Sequence, residues 1–139
     1  MNSVLNVLND VEGLLSSAIP GVEIFIKSKD PGYTGEYILL DHQPFTFEDV
    51  VGNGVVNVHV HVPDLSGGKQ NRERLQDICD EVIGLFPDDT FLNGYYVDIL
   101  SISDSTADEE AGTHFLTIEL SITYNNLILW QELFMELTM

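Results

Sequence analysis

The stretch VVNVHVHVPDLSGG, residues 55–68, alternates apolar and polar side chains before it ends in proline, glycine and small residues. Alternation with a period of two is typical of a β-strand that has one face in the core. The valines at even positions from 56 to 62 predict that buried face, and His59 and His61 are predicted on the opposite face. Because that face is expected to meet solvent or a partner, we expect neither histidine to hold the fold.

Two amphipathic helices are predicted on either side of this strand. Residues 3–18 and 69–86 carry apolar side chains at three- and four-residue spacing, the pattern of a helix with one buried stripe. Proline follows each segment closely, at Pro20 and at Pro87, and ends the helical pattern. Both helices are therefore expected to pack one face against the valine strand.

Further strands are predicted where apolar and polar residues alternate again. These segments are residues 22–28, 36–45, 95–103 and 113–124. The first two are predicted to form a hairpin over 22–45, since Pro31 and Gly32 lie between them. Residues 52–54, Gly-Asn-Gly, are predicted to form a turn, and residues 104–112 an acidic polar loop.

The last segment, LILWQELFMELTM (127–139), is open to two interpretations, a short amphipathic helix or a final strand. The spacing of Leu127, Trp130 and Phe134, with Leu137 after them, favours the helix. We treat this segment as a C-terminal extension of the domain.

The order of elements predicts the fold class. A helix, three strands, a helix and two strands with short connections indicate an α+β domain, in which a mostly antiparallel sheet carries two main helices on one face. The chain has 139 residues, of which 44% are hydrophobic, so it is long enough to bury one core. We therefore expect a single domain over residues 1–139.

The net charge of the chain disfavours one class of partner. The chain has 23 acidic and 5 basic residues, and its net charge is −18. A surface of that sign repels phosphate backbones and anionic membranes, so simple nucleic-acid binding is disfavoured. The single cysteine, Cys79, cannot form an internal disulfide and sits on an apolar helix stripe, so burial in a reducing compartment is expected. Neither an export signal nor a membrane-spanning segment is predicted.

A metal site is the sharpest hypothesis that the two histidines raise. On a strand, His59 and His61 would point to the same side about 7 Å apart, close enough to share an ion. A zinc site needs at least three protein ligands, and His42 and His114 are the remaining histidines. His114 has the parity of the apolar face of its strand, so it is not expected to join the pair. Asp41 or Glu119 could supply a carboxylate instead.

Other catalytic signatures fail on spacing. The sequence contains no G-x-S-x-G nucleophile motif and no glycine loop with a Walker lysine. Counted from Asp104, an EF-hand would need glycine at the sixth position and glutamate at the twelfth, where Glu109 and Phe115 stand. We therefore predict no catalytic residue, no cofactor and no bound metal.

A basic cluster begins the second helix. Lys69, Arg72 and Arg74 are three of the five basic residues, and positive charge there opposes the helix dipole. The cluster is either solvated or paired with acidic residues on another copy of the chain. We name these three residues as a candidate subunit interface.

Two stretches resemble a known family. NVHVHVPDLSGGKQNRERLQDICDEVIGLF (57–86) is a strand, a polar loop and an amphipathic helix, and ADEEAGTHFLTIELSITYNN (107–126) is an acidic loop and a strand. In this order they resemble the tail terminator, or tail completion, proteins of long-tailed bacteriophages, and the likeness covers roughly residues 1–126.

The resemblance implies a structural phage or prophage protein without enzymatic activity. Such a protein would assemble as a homohexameric ring on the tail tube, end tube polymerisation and offer the surface for head joining. Its partners would be itself, the tail tube protein and the head-tail connector protein, while DNA would pass through without specific binding. It would be found in the virion tail, and in the host cytoplasm during assembly.

Two alternatives remain open at the level of sequence. One is a metal-dependent enzyme that uses His59 and His61. The other is an acidic nucleic-acid mimic, which charge alone suggests, although the carboxylates show no phosphate-like regularity. Metal analysis would test the first alternative.

Overall fold

A computed structural model describes residues 4–47 and 51–125. Its helices are α1 (Val4–Ala18) and α2 (Arg72–Gly84). Its strands are β1 (Glu23–Ile26), β2 (Tyr37–His42), β3 (Thr46–Phe47), β4 (Val51–Pro63), β5 (Thr90–Leu92), β6 (Tyr95–Ile102), β7 (Thr106–Asp108) and β8 (Thr113–Asn125). These strands form one sheet of order β1-β2-β4-β8-β6-β5, with β3 paired to β4 and β7 to β8.

The fold class is confirmed as α+β, with a mostly antiparallel sheet and two helices. Strands β4 and β8 lie side by side at its centre and pair in antiparallel register from Val51 opposite Asn125 to Pro63 opposite Thr113. Val56, Val58 and Val60 are each 0% exposed, which confirms the predicted core face. The buried side chains of both helices join this face in one core, so the helices share one side of the sheet.

The predicted hairpin over 22–45 is wrong. Strands β1 and β2 are parallel, with Glu23 opposite Tyr37 and Ile26 opposite Leu40. Lys27 has a φ of 68°, which turns the chain out of β1, and the connection then returns to the end at which β1 began. The proline and glycine residues in that connection indicate that the chain leaves β1, but they do not determine whether β2 runs parallel or antiparallel to it.

The predicted turn at residues 52–54 is also wrong, because Gly52 and Gly54 lie within β4. The ring of Phe45 packs directly over Gly54, where a Cβ atom would overlap it. Because Gly54 has no Cβ atom, the ring of Phe45 can lie directly against the backbone of β4. Glycine can therefore mark a close contact within a strand as well as a turn.

The predicted acidic loop over 104–112 is interrupted by β7, which pairs with the start of β8. The interpretation of residues 127–139 as a C-terminal helix falls outside the described residues. Neither helix in the described part of the chain is long and apolar enough to cross a membrane.

Candidate functional site

The face of the sheet opposite the helices carries the polar residues that the sequence singled out. We call it the outer face. Because β2, β4 and β8 are neighbours, residues at equivalent positions on these strands form rows that cross the sheet. Two such rows contain His61 and His59, and the predicted placement of both histidines opposite the valines is confirmed.

The first row is a stack of three aromatic rings. The His61 ring lies between those of Tyr37 and Phe115, with centroid distances of 4.4 and 4.7 Å and interplanar angles of 10° and 14°. Tyr37 is 4% exposed and His61 6% exposed. The imidazole Nδ1 also lies 3.1 Å from the hydroxyl oxygen of Thr113. The expectation that His61 meets solvent or a partner is therefore wrong, since its neighbours in the same chain cover it.

Burial controls the protonation of His61. Desolvation of the imidazolium lowers the pKa of His61 to about 4, and the nearby carboxylate of Asp108 opposes this shift only in part. The residue is consequently neutral at physiological pH, and its ring acts as an aromatic packing element.

The second row joins a carboxylate, an imidazole and a hydroxyl. His59 Nε2 lies 3.0 Å from each carboxylate oxygen of Asp41, and its Nδ1 lies 2.7 Å from Oγ1 of Thr117. Asn57 donates a further hydrogen bond of 2.8 Å to Asp41. In the neutral imidazole, Nε2–H donates to the carboxylate and Nδ1 accepts from the hydroxyl.

The order hydroxyl, imidazole, carboxylate is that of an activated nucleophile, but such a site also needs hydrogen-bond donors for an oxyanion beside the hydroxyl. The backbone N–H of Thr117 donates to Oγ of Ser103, and its carbonyl accepts from the Ser103 N–H. Because the Thr117 N–H already donates to Ser103, it is not free to stabilise an oxyanion beside the hydroxyl. The row is best explained as a polar network that links three strands.

The histidines do not converge on a metal site. His59 and His61 share the outer face, but their ring nitrogens contact different partners. His114 lies on the opposite face, where its Nδ1 is 2.6 Å from Oδ1 of Asp64. His42 Nδ1–H donates a hydrogen bond of 2.8 Å to the carbonyl oxygen of Gln43. Glu119 accepts from Gln43 and Ser101, and no group of three His, Cys, Asp or Glu in residues 4–47 and 51–125 could hold an ion.

The basic cluster is divided between two environments. Arg74 forms a bidentate ion pair with Glu36, with Nε 2.6 Å from Oε2 and Nη2 3.1 Å from Oε1. That hydrogen bonding raises the pKa of Arg74. Arg72 is the first residue of α2 and is exposed, as is Lys69. Asn71 caps the helix by accepting from the Arg74 N–H.

A groove beside α2 is a feature that the sequence did not indicate. It has a volume of about 400 Å³ and runs between the helix and the segment that follows β6. Its lining is mixed, because Arg72, Gln76 and Asp104 are polar or charged whereas Leu75, Cys79 and Ile102 are apolar. Cys79 is 3% exposed, as its helix stripe predicted, and burial raises the pKa of its thiol. We call this cleft the α2 groove.

Several partners were missed because they are distant in sequence. The Tyr37 and Phe115 rings reach His61 only through strand register, and Glu36 reaches Arg74 only through the tertiary fold. Periodicity assigns a residue to a face, but carries no information on its neighbour across the strands.

Comparison with known proteins supports the fold and leaves the function open. No family model matches the chain, and no curated protein matches it. Among solved structures, 25 chains match. One of them, a protein whose name states no function, is 16% identical with a TM-score of 0.61, and the match covers 86% of this chain and 92% of that chain. At this identity the likeness shows a shared fold alone.

Proposed function

We propose that the chain is a structural protein that assembles into a homohexameric ring at the end of a phage tail tube. In this role it ends tube polymerisation and offers a surface for head joining. The observation that carries the proposal is the position of the two stretches that resemble tail terminators. They include residues 57–63 of β4 and the whole of β8, the paired central strands, so the resemblance concerns the body of the fold.

The charge of the chain supports passage of DNA through such a ring. A net charge of −18 per chain gives a lumen that repels the phosphate backbone, so DNA can slide without sticking. The same charge disfavours a role in which nucleic acid is bound tightly.

A closed ring requires two different surfaces on each protomer, because each copy contacts the next one head to tail. The exposed side chains of Lys69 and Arg72 provide one surface of unusual sign in an acidic protein. Since Arg74 is already paired with Glu36, its role at an interface would be indirect, through the position of the helix start. The acidic residues that would face this patch on a neighbour are plentiful.

The experiment compares native mass spectra of wild type, of a Lys69→Glu/Arg72→Glu double variant and of a Lys27→Glu control. Charge reversal at the patch should turn attraction into repulsion at every contact of the ring, so hexamer should be lost while circular dichroism stays unchanged. Lys27 is exposed elsewhere, at the end of β1, and its reversal should leave the hexamer intact.

Two results would contradict the proposal. A wild-type chain that remains monomeric when concentrated, and that also fails to cap purified tail tubes, would remove the ring function. A double variant that still forms hexamer would exclude the basic patch from the interface.

A further inference from the structure

The dipeptide Asn-Gly occurs twice in the chain, at residues 53–54 and 93–94. Asparagine is chemically least stable before glycine, because glycine has no Cβ atom to shield its backbone nitrogen from the preceding side chain. That nitrogen can attack the side-chain amide and expel ammonia. Whether a copy reacts in the folded protein depends on how freely its backbone can rotate, and the two copies lie in different surroundings.

The first copy is held inside the sheet. Asn53 lies in β4, opposite Thr46 of β3 on one side and Thr123 of β8 on the other. The ring of Phe45 covers Gly54. For the attack, the nitrogen of Gly54 would have to approach Cγ of Asn53, which requires rotation out of the extended backbone and loss of ladder hydrogen bonds. We therefore expect this copy to be protected.

The second copy forms the two-residue turn between β5 and β6. Leu92 and Tyr95 pair across this turn. Asn93 has a φ of 51° and Gly94 a φ of 96°, both positive as a type I′ turn requires, and the Asn93 side chain is exposed. Strand β5 has three residues, lies at the end of the sheet and, among the described strands, pairs with β6 alone. Because local opening of so short an edge strand costs little free energy, this backbone can rotate.

The side chain of Asn93 joins this turn to helix α1. Its Nδ2 lies 3.3 Å from each carboxylate oxygen of Asp10, and the hydroxyl of Tyr95 donates a hydrogen bond of 2.7 Å to the same carboxylate. Asp10 thus accepts from both residues and attaches the β5–β6 hairpin to α1. The amide contacts are long and exposed, so they restrain the Asn93 side chain only weakly.

We propose that Asn93 is a site of spontaneous deamidation, and that the product weakens the attachment of the β5–β6 hairpin to α1. In the reaction the deprotonated backbone nitrogen of Gly94 forms a bond to Cγ of Asn93, the bond from Cγ to Nδ2 breaks, and ammonia leaves. Water then opens the resulting succinimide ring, to aspartate at one carbonyl or to isoaspartate at the other. Water is the only co-reactant, and the inference does not depend on ring assembly.

Either product changes the contact with Asp10. A carboxylate at position 93 has no hydrogen to donate, and it places a second negative charge beside the first in a chain whose net charge is already −18. Isoaspartate also adds a methylene group to the main chain, which disturbs the geometry of a two-residue turn. The hairpin should therefore open more readily, by roughly threefold to tenfold, since a hydrogen bond to a charged group is lost.

The rate is measured on the full chain in mildly alkaline buffer, where more of the backbone nitrogen is deprotonated. Cleavage after Asp89 and Asp98 releases residues 90–98, in which Asn93 is the single asparagine, and fragmentation mass spectrometry follows Asn53 in the same digest. In the folded protein Asn93 should convert about tenfold or more faster than Asn53. In urea both should convert at similar rates, because they share the dipeptide. Conversion of Asn93 in the folded protein no faster than that of Asn53 would overturn the site.

The effect on the hairpin is measured with Asn93→Asp, which supplies the aspartate product directly. Hydrogen exchange of residues 90–98 should be roughly threefold to tenfold faster than in wild type, with an unchanged circular dichroism spectrum. Asp10→Asn is the matched background, because its amide keeps an acceptor oxygen for Tyr95 but carries no charge. In that background Asn93→Asp should leave exchange unchanged, since the pair of like charges is absent. Equal exchange in wild type and Asn93→Asp, or the same increase in both backgrounds, would overturn the weakened attachment through Asp10.

Discussion

Replacement of His61 by alanine should destabilise the fold strongly, although a polar residue opposite the core face would ordinarily be dispensable. The imidazole fills the space between the rings of Tyr37 and Phe115, and the side chain is 6% exposed. Truncation removes two stacked contacts, each worth about 0.5–1.5 kcal/mol, and leaves a gap between the outer rings. We expect a loss of about 2–4 kcal/mol in the free energy of unfolding.

The same burial predicts how stability depends on pH. In the unfolded chain His61 becomes protonated when the pH falls below its usual pKa of 6.5. In the folded chain the pKa of His61 is lowered to about 4. Between these values the unfolded state binds more protons, so this residue makes the fold less stable as pH falls through that window. The loss due to His61 approaches about 3 kcal/mol at the acid end of the window.

Urea unfolding followed by circular dichroism at pH 7.5, 6, 5 and 4 would measure both effects. His61→Phe keeps an aromatic ring in the stack and removes the titrating imidazole. All carboxylates and the other histidines are the same as in wild type, so a difference in the pH dependence of stability is due to His61. His42→Ala is the matched control for loss of an imidazole, because His42 is less buried and lies outside the stack.

The reasoning would be refuted by a His61→Ala variant no less stable than His42→Ala. A stability difference between wild type and His61→Phe that stays constant from pH 7.5 to 4 would refute the linkage argument. Either result would mean that the three rings do not form a closed stack in solution.

Two further changes test the core. Val60→Ala, at a side chain with 0% exposure, should cost about 1–3 kcal/mol of unfolding free energy, measured by urea denaturation, and a neutral result would place Val60 outside the core. Gly54→Ala should destabilise by about 1–3 kcal/mol, because the new methyl group would overlap the Phe45 ring. Gly13→Ala, in α1 with open space around it, should instead stabilise by about 1 kcal/mol, and equal effects at both glycines would contradict the close approach of Phe45.

The helices and the core face could be predicted because they depend on periodicity within one segment. The valine alternation in β4 and the apolar stripe of α2 each bury the residues that the pattern marks. The class of fold follows from the order of such segments. These features require no knowledge of which strand pairs with which.

The predictions of a hairpin over 22–45 and of a turn at 52–54 were wrong because the same local sequence is compatible with two structures. Glycine at positions 52 and 54 is compatible with a turn and with a strand under a ring, and only the position of Phe45 distinguishes them. The residues between β1 and β2 allow either a hairpin or a return to a parallel strand. Tertiary packing makes the choice in both cases.

The outer face shows the same limit for the candidate site. Sequence placed His59 and His61 on one side, and the structure agrees, but their roles differ because their neighbours differ. His59 joins Asp41 and Thr117 in a polar network, whereas His61 is enclosed by aromatic rings. Strand register, which no single segment encodes, thus separates a polar link from a packing element.

The salt dependence of assembly tests the proposed contact at Lys69 and Arg72. Chains with a net charge of −18 repel one another, and added salt screens that repulsion over a Debye length of about 8 Å at physiological ionic strength. If apolar contacts between copies dominate, screening removes only an opposing force, so assembly strengthens with salt. If attraction at Lys69 and Arg72 dominates, salt weakens assembly instead. The sign of the salt dependence therefore shows whether attraction at this patch drives assembly, and the Lys69→Glu/Arg72→Glu variant assigns the effect to those two residues.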